Sequence, residues 1–224
     1  MMGTGKYEAV IFDLDGTLLD TLEDLKNAVN AALKSAGLPE RTMEEVRGFV
    51  GNGIVKLMER AVPEGENHPA FDAIMDTFRQ YYGVHCRDNT APYRGIPELL
   101  DALRERGIKM AVVSNKAEFA VQELIPLYFK EQISAAYGEN ETAGIRKKPH
   151  ADMVFQALKE MGCTREKALY VGDSDVDLET ADNADMVCVA VSWGFRERRF
   201  LEDRGARYII DRPDELLKIL NELE

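Results

Sequence analysis

The rhythm of apolar positions changes along the chain. Ala9, Val10, Ile11 and Phe12 are apolar without a break, which predicts a strand buried on both faces of a parallel sheet. From Leu22 the spacing turns helical, with Leu25, Val29, Ala32 and Leu33 recurring until Gly37 and Pro39 stop it; Asp20 and Thr21 are placed to cap this helix. Thr42 followed by Glu45 is a capping-box signature for a short second helix. Ile54, Leu57, Met58 and Ala61 mark a third, and Phe71, Ile74, Met75, Phe78 and Tyr82 a fourth, whose stripe reads as helical core. Residues 22–86 therefore read as all helix. Beyond Asn89, Pro92, Gly95 and Pro97 punctuate a linker, and the texture alternates. Strands are expected at 108–113, 133–137, 168–171, 186–191 and 208–210, and helices at 96–103, 117–125, 153–161, 178–184 and 213–220.

Strands alternating with helices call for an α/β fold: a doubly wound parallel sheet with right-handed crossovers. The helical block is then an insertion after the first strand. This divides the chain into a core of residues 1–19 and 90–224 and an all-helical cap domain of residues 20–89. Ligands in such sheets bind beyond the carboxyl ends of the strands, where this insertion would sit as a lid.

The first strand stops abruptly at charge. Asp13 and Asp15, two residues apart, can project to one side of extended chain as a cluster of hard oxygens. Gly16 gives the backbone freedom for a tight turn, and Thr17 can satisfy free N–H groups or hold an anion. The stretch suits a metal and a phosphate. Other clusters share its polarity: Val112 and Val113 lead into Ser114, Asn115 and Lys116; Arg146, Lys147, Lys148 and Pro149 precede a helix; Tyr170 and Val171 lead into Gly172, Asp173, Ser174, Asp175 and Asp177. All fall on one edge of the sheet.

Composition narrows the partners. The 224 residues are 45% hydrophobic and 30% charged with a net charge of −12, which disfavours nucleic acid and anionic membrane as partners. A small anionic substrate needs only a local cationic pocket. Cys86, Cys163 and Cys188 are widely spaced and form no CxxC or CxxH arrangement, which argues against a disulfide framework or zinc site. With no long apolar core near the N-terminus, the expected location is cytoplasmic. The acidic surface suits a monomer or a homodimer.

In order, DLDGTLLDT, VVSNK, KKPHAD and GDSDVD resemble the four motifs of the haloacid dehalogenase superfamily of phosphatases. The resemblance implies Asp13 as a nucleophile forming an aspartyl-phosphate and Asp15 as general acid and base, its main-chain carbonyl also on Mg2+. It implies Ser114, with the Asn115 backbone and Gly16, as the phosphoryl site, and Lys148 as the neutralising cation. Asp173 would bind Mg2+ directly and Asp177 directly or through water. RGFVGNG is similar to the cap loop of phosphoglycolate phosphatases, which makes Arg47, Gly51, Asn52 and Gly53 candidate substrate contacts; WGFRE, containing Trp193, resembles the same subgroup. The expected activity is hydrolysis of a small phosphorylated metabolite. The alternatives are a pyrophosphatase, a nucleotidase or a sugar-phosphate mutase of the same superfamily, or a non-catalytic phospho-acceptor or ligand-binding module.

Overall fold

The computed structural model describes residues 6–140 and 144–223. The start of the expected core segment, residues 1–5, lies outside them. The chain enters strand β1 (Ala9–Phe12), turns at the aspartates and reaches the two-residue strand β2 (Leu19–Asp20). Helices α1 (Leu22–Ser35), α2 (Met43–Phe49), α3 (Gly53–Ala61) and α4 (Phe71–His85) follow. Strand β3 (Ala91–Pro92) then pairs antiparallel with β2, so both crossings into and out of the helical insertion lie side by side. The rest alternates: α5 (Ile96–Glu105), β4 (Lys109–Ala117), α6 (Glu118–Tyr128), β5 (Ala135–Glu139), α7 (Asp152–Met161), β6 (Ala168–Gly172), α8 (Asp175–Asn183), β7 (Val187–Val191), α9 (Arg198–Asp203), β8 (Tyr208–Ile210) and α10 (Leu216–Glu222).

The six-stranded sheet has the order β5-β4-β1-β6-β7-β8, and its registered pairs are parallel. This is the doubly wound α/β fold with a helical cap that the apolar pattern predicts. Because β1 is central, its side chains feed both faces. Val10 and Phe12 join Val112, Leu169 and Val171 in a core with Leu100, Leu124 and Leu216. Ala9 and Ile11 join Ala111, Val113 and Tyr170 against Val154, Ala157 and Ala181. Each fully buried large side chain stabilises by about 1.5–3 kcal/mol. Phe12 pairs with both Val112 and Val171, so Asp13, Ser114 and Asp173 emerge nearly level at one sheet edge.

A third apolar cluster holds the insertion together, with Leu25, Val29, Leu33, Leu57, Met58, Phe78 and Tyr82 at its centre. Ala120 and Phe195 of the core belong to it, so the insertion is seated on the sheet edge. Its base is tied by Asp24, whose buried carboxylate accepts from the amides of Asn89 and Thr90, the Asn89 side chain and the Thr90 hydroxyl.

Several boundaries differ from expectation. The paired two-residue strands carry too few residues for a period, and α9 is too short to show one. Helix α8 begins at Asp175 rather than at 178, because Ser174 and Asp177 close a capping box at its first turn. Asp20 accepts from the Leu22 amide as expected of a cap. Thr21 does not cap through its side chain; its hydroxyl is buried without a partner among the described residues.

Candidate active site

The turn after β1 forms because Gly16 takes φ +83 in the left-handed region, where a Cβ would lie 2.4 Å from Oδ2 of Asp173. Gly194 is equally constrained: its Cβ would sit 2.3 Å from the Gly16 carbonyl. Two glycines thus let the β1 turn and the loop after β7 close on Asp173. Trp193 fastens that loop by donating its indole N–H to the Thr17 carbonyl at 3.0 Å.

Around Asp13 the contacts come from strand ends of the core and from the loop before α7. Its Oδ1 accepts from the Leu14 amide at 2.7 Å and lies 2.8 Å from Nζ of Lys148. The same ammonium is 2.8 Å from Oδ1 of Asp177, which also accepts from the Tyr170 hydroxyl at 3.1 Å. The other oxygen of Asp177 accepts from the amides of Asp173 and Ser174 and from the Ser174 hydroxyl. Asp173 accepts from the Phe195 amide at 2.6 Å. Asp13, Asp173 and Asp177 each offer an oxygen within 4.8 Å of the others.

Three buried carboxylates around one lysine are an excess of negative charge in low dielectric. Burial pushes Asp13 up to about 7; Lys148 pulls it down, while Asp177 and Asp15 add to the rise. Burial, then the charges of Asp177 and Asp13, holds Asp173 well above the usual carboxylate range. Lys148 stays charged because these carboxylates outweigh its own desolvation. An all-oxygen donor set with surplus negative charge fits a hard divalent cation.

Asp15 faces elsewhere. Its Oδ1 lies 2.8 Å from Nζ of Lys116, and that ammonium also donates to the Tyr82 hydroxyl from cap helix α4. Lys116 is 4% exposed and Lys148 3%, so Asp13 and Asp15 each have their own buried lysine. The side chain of Asp15 is not part of the acidic trio.

Both aspartates open on one cavity of about 40 Å³, lined by Ser114, Asn115, Lys116, Lys148 and Asp173 from the core and by Leu25, Val50, Gly51, Gly53, Ile54, Leu57 and Tyr82 from the cap side. Ser114 is buried and its oxygen accepts from the Lys116 amide at 3.3 Å. The Asn115 side chain spans the site: it accepts from the Lys148 amide and donates to the carbonyls of Lys148 and Gly51. Gly53 has φ +85, and a Cβ there would fall 2.4 Å from Oε2 of Glu139. Arg47 and Asn52 are not among the residues that line this cavity. Arg47 pairs with Glu44 at 3.6 Å and borders a neighbouring groove, and Asn52 accepts from Arg60 at 2.8 Å.

Residues 10–191 match the family model of the haloacid dehalogenase-like hydrolases. The chain belongs to that family. A phosphoglycolate phosphatase of Aquifex aeolicus is 31% identical over 95% of this chain and 96% of its own. An N-acetylmuramic acid 6-phosphate phosphatase of Pseudomonas aeruginosa is also 31% identical, over 96% of each. A crystal structure from Lactobacillus delbrueckii subsp. bulgaricus, provisionally named a phosphoglycolate phosphatase, superposes with a TM-score of 0.91 at 37% identity, covering 96% of this chain and 98% of that one. The protein is a phosphoglycolate phosphatase-like hydrolase of the haloacid dehalogenase family.

Within this hydrolase some site residues carry no obvious signal in sequence. Lys116 stands inside VVSNK, where the resemblance gives Ser114 and Asn115 a role and Lys116 none. Tyr82 falls on the apolar stripe of α4 and is core as that stripe predicts, but its hydroxyl also reaches Lys116, which the stripe does not signal. Arg196 lines the cavity and donates to the carbonyls of Arg47 and Val50 at 2.9 and 3.0 Å, tying the loop after β7 to the cap. No helix among the described residues is long and apolar enough to cross a membrane.

Proposed function

We propose that this protein is a Mg2+-dependent phosphatase that hydrolyses a small phosphorylated metabolite through an aspartyl-phosphate on Asp13, with phosphoglycolate the foremost candidate substrate. The observation that carries the reading is the separate tethering of the two aspartates, Asp13 by Lys148 and Asp15 by Lys116, on one cavity beside an acidic trio. Two carboxylates in different surroundings suit two different tasks.

Asp13 has one oxygen occupied by the Leu14 amide and Lys148, which leaves the other to attack phosphorus. As the new O–P bond forms, the bond to the leaving oxygen breaks, and that oxygen takes its electron pair and a proton from Asp15. In the second half-reaction Asp15 accepts a proton from water, the water oxygen attacks phosphorus, and the bond to Asp13 breaks to release inorganic phosphate. Lys148 and the Ser114 hydroxyl hold the phosphoryl oxygens in line. Asp13 and Asp173, with Asp177 and the main chain of Asp15, would hold Mg2+. Bound there, the ion supplies positive charge that lets a carboxylate approach an anionic phosphate.

Residues 20–89 act as a cap over the core of residues 1–19 and 90–224. A cavity of about 40 Å³ holds only a few waters, each needing roughly 10–15 Å³ on this measure, so substrate enters an opened cap and is enclosed as it closes. The name of the Aquifex relative supports phosphoglycolate as the foremost candidate. The cytoplasm is the proposed location, and the working state is a monomer or homodimer.

The test is Mg2+-dependent phosphate release from phosphoglycolate, pyrophosphate, nucleoside monophosphates and sugar phosphates, with Asp13→Asn as control. The expected result is preference for phosphoglycolate and an inert variant. A nucleotide or sugar phosphate as best substrate would overturn the substrate assignment alone. Activity retained by Asp13→Asn would overturn the mechanism.

A further inference from the structure

Tyr82 differs from the rest of the apolar stripe on α4. Its ring stacks on Phe78 with centroids 5.4 Å apart, as core residues do. Its hydroxyl, however, lies at the wall of the catalytic cavity and accepts from Nζ of Lys116. Lys116 is buried in β4, and a lysine seldom loses its water without a specific partner. It has two partners in the cavity, and they come from opposite sides: Oδ1 of Asp15 in the core and the phenol of the cap. A continuous line of polar contact thus runs from a cap helix to Asp15.

We propose that Lys116 and Tyr82 are positioning residues for Asp15. Closure of the cap seats the Tyr82 hydroxyl on Lys116. Lys116 then fixes Oδ1 of Asp15 and leaves Oδ2 as the oxygen that passes a proton to the leaving group. The step is the one described above: the phosphorus–oxygen bond breaks, and its electron pair and the proton of Asp15 end on the departing oxygen. When the cap opens, Tyr82 leaves with α4 and the line is broken. Proton transfer is therefore aligned only when substrate is enclosed and bulk water excluded. The proposal rests on the phosphatase reading and adds to it the residues that make the acid dependent on the cap.

The test uses leaving-group dependence in the full chain. An alkyl phosphate, phosphoglycolate or whichever alkyl ester the wild type turns over best, needs a proton at its leaving oxygen; p-nitrophenyl phosphate departs as a stable phenolate without one. The readout is kcat/KM, which covers the steps up to loss of the leaving group and so excludes the later base role of Asp15. Tyr82→Phe keeps the ring in its packing and removes only the hydroxyl. It is expected to lower kcat/KM on the alkyl phosphate about tenfold and to leave p-nitrophenyl phosphate within about twofold, a fraction of the 10²–10⁴ that a general acid supplies. Lys116→Met is expected to lower the alkyl phosphate about 100-fold with a much smaller loss on the aryl ester. Circular dichroism and the thermal midpoint establish that both variants fold; Tyr82→Phe carries the test if Lys116→Met does not. Equal losses on both esters, or no loss on either from Tyr82→Phe, would overturn the proposal and leave the phosphatase reading intact. A wild type that releases phosphate from neither ester would overturn that reading, and the proposal with it.

Discussion

Asp13 and Asp15 are separated by one residue, yet their surroundings are built from different parts of the molecule. Every partner of Asp13 comes from the core: the Leu14 amide, Lys148, and the carboxylates of Asp173 and Asp177 beyond it. Asp15 depends on a contact that leaves the core, through Lys116 to Tyr82 of the cap. The direct contacts of the first environment lie within the core, while the second includes a contact from the helical insertion. In the proposed mechanism this places the nucleophile at the sheet edge and ties the alignment of the acid to closure of the cap, which is how lids commit a bound substrate.

Substitutions can separate these two environments. Asp13→Asn removes the attacking group, and phosphate release is expected to fall on the order of 10⁴-fold or more for every ester. Asp15→Asn should cost about 10²–10⁴ in kcat/KM on alkyl phosphates and far less on p-nitrophenyl phosphate; equal losses would mean that Asp15 is not the acid. Lys148→Ala should lower kcat about 10²–10³-fold. It also leaves Asp13 and Asp177 buried without their cation, which is expected to destabilise the fold by about 3–5 kcal/mol in denaturant titration. Arg196→Ala removes two hydrogen bonds to the cap loop and should raise KM about tenfold with a smaller change in kcat.

The smallest effect concerns protons. A carboxyl raised to about 7 in the folded protein holds a proton that the unfolded chain releases near 3.8. In metal-free protein this contribution favours folding most below about pH 4 and is lost as pH rises to about 7. Mg2+ must displace that proton. The rise in thermal midpoint on adding Mg2+ should therefore be larger at about pH 8 than at about pH 5.5, by a few degrees. A rise independent of pH would remove Asp13 from the metal site.

The same comparison explains what was legible in sequence. The Asp13 environment is written in short strand-end motifs, because consecutive residues at the carboxyl edge of a parallel sheet land together once the strands pair. Asp13, Ser114, Lys148, Asp173 and Asp177 could be named from those stretches. The Asp15 environment is only partly written there: Lys116 stands in one of those stretches, but its second partner, Tyr82, lies on the apolar stripe of α4, where a tyrosine reads as ordinary core. Asp24 shows the same limit: an aspartate in the first turn of α1 is a routine helix-dipole residue until its contacts with Asn89 and Thr90, 65 and 66 residues away, reveal a hinge clasp. The strands β2 and β3 escaped notice because two residues carry no period. Arg47 and Asn52 show a further limit: a loop motif marks backbone beside the cavity, as at Gly51 and Gly53, without fixing where the neighbouring side chains lie.

The most direct test of the account is the reaction of Asp15→Asn with p-nitrophenyl phosphate, acid-quenched on the millisecond scale. The ester needs no acid to lose its phenolate, while the variant lacks the base for the second half-reaction. The expected result is a stoichiometric burst of p-nitrophenolate and a phosphoryl group trapped on the peptide containing Asp13. Steady release with no burst, or a phosphoryl group on any other residue, would contradict it.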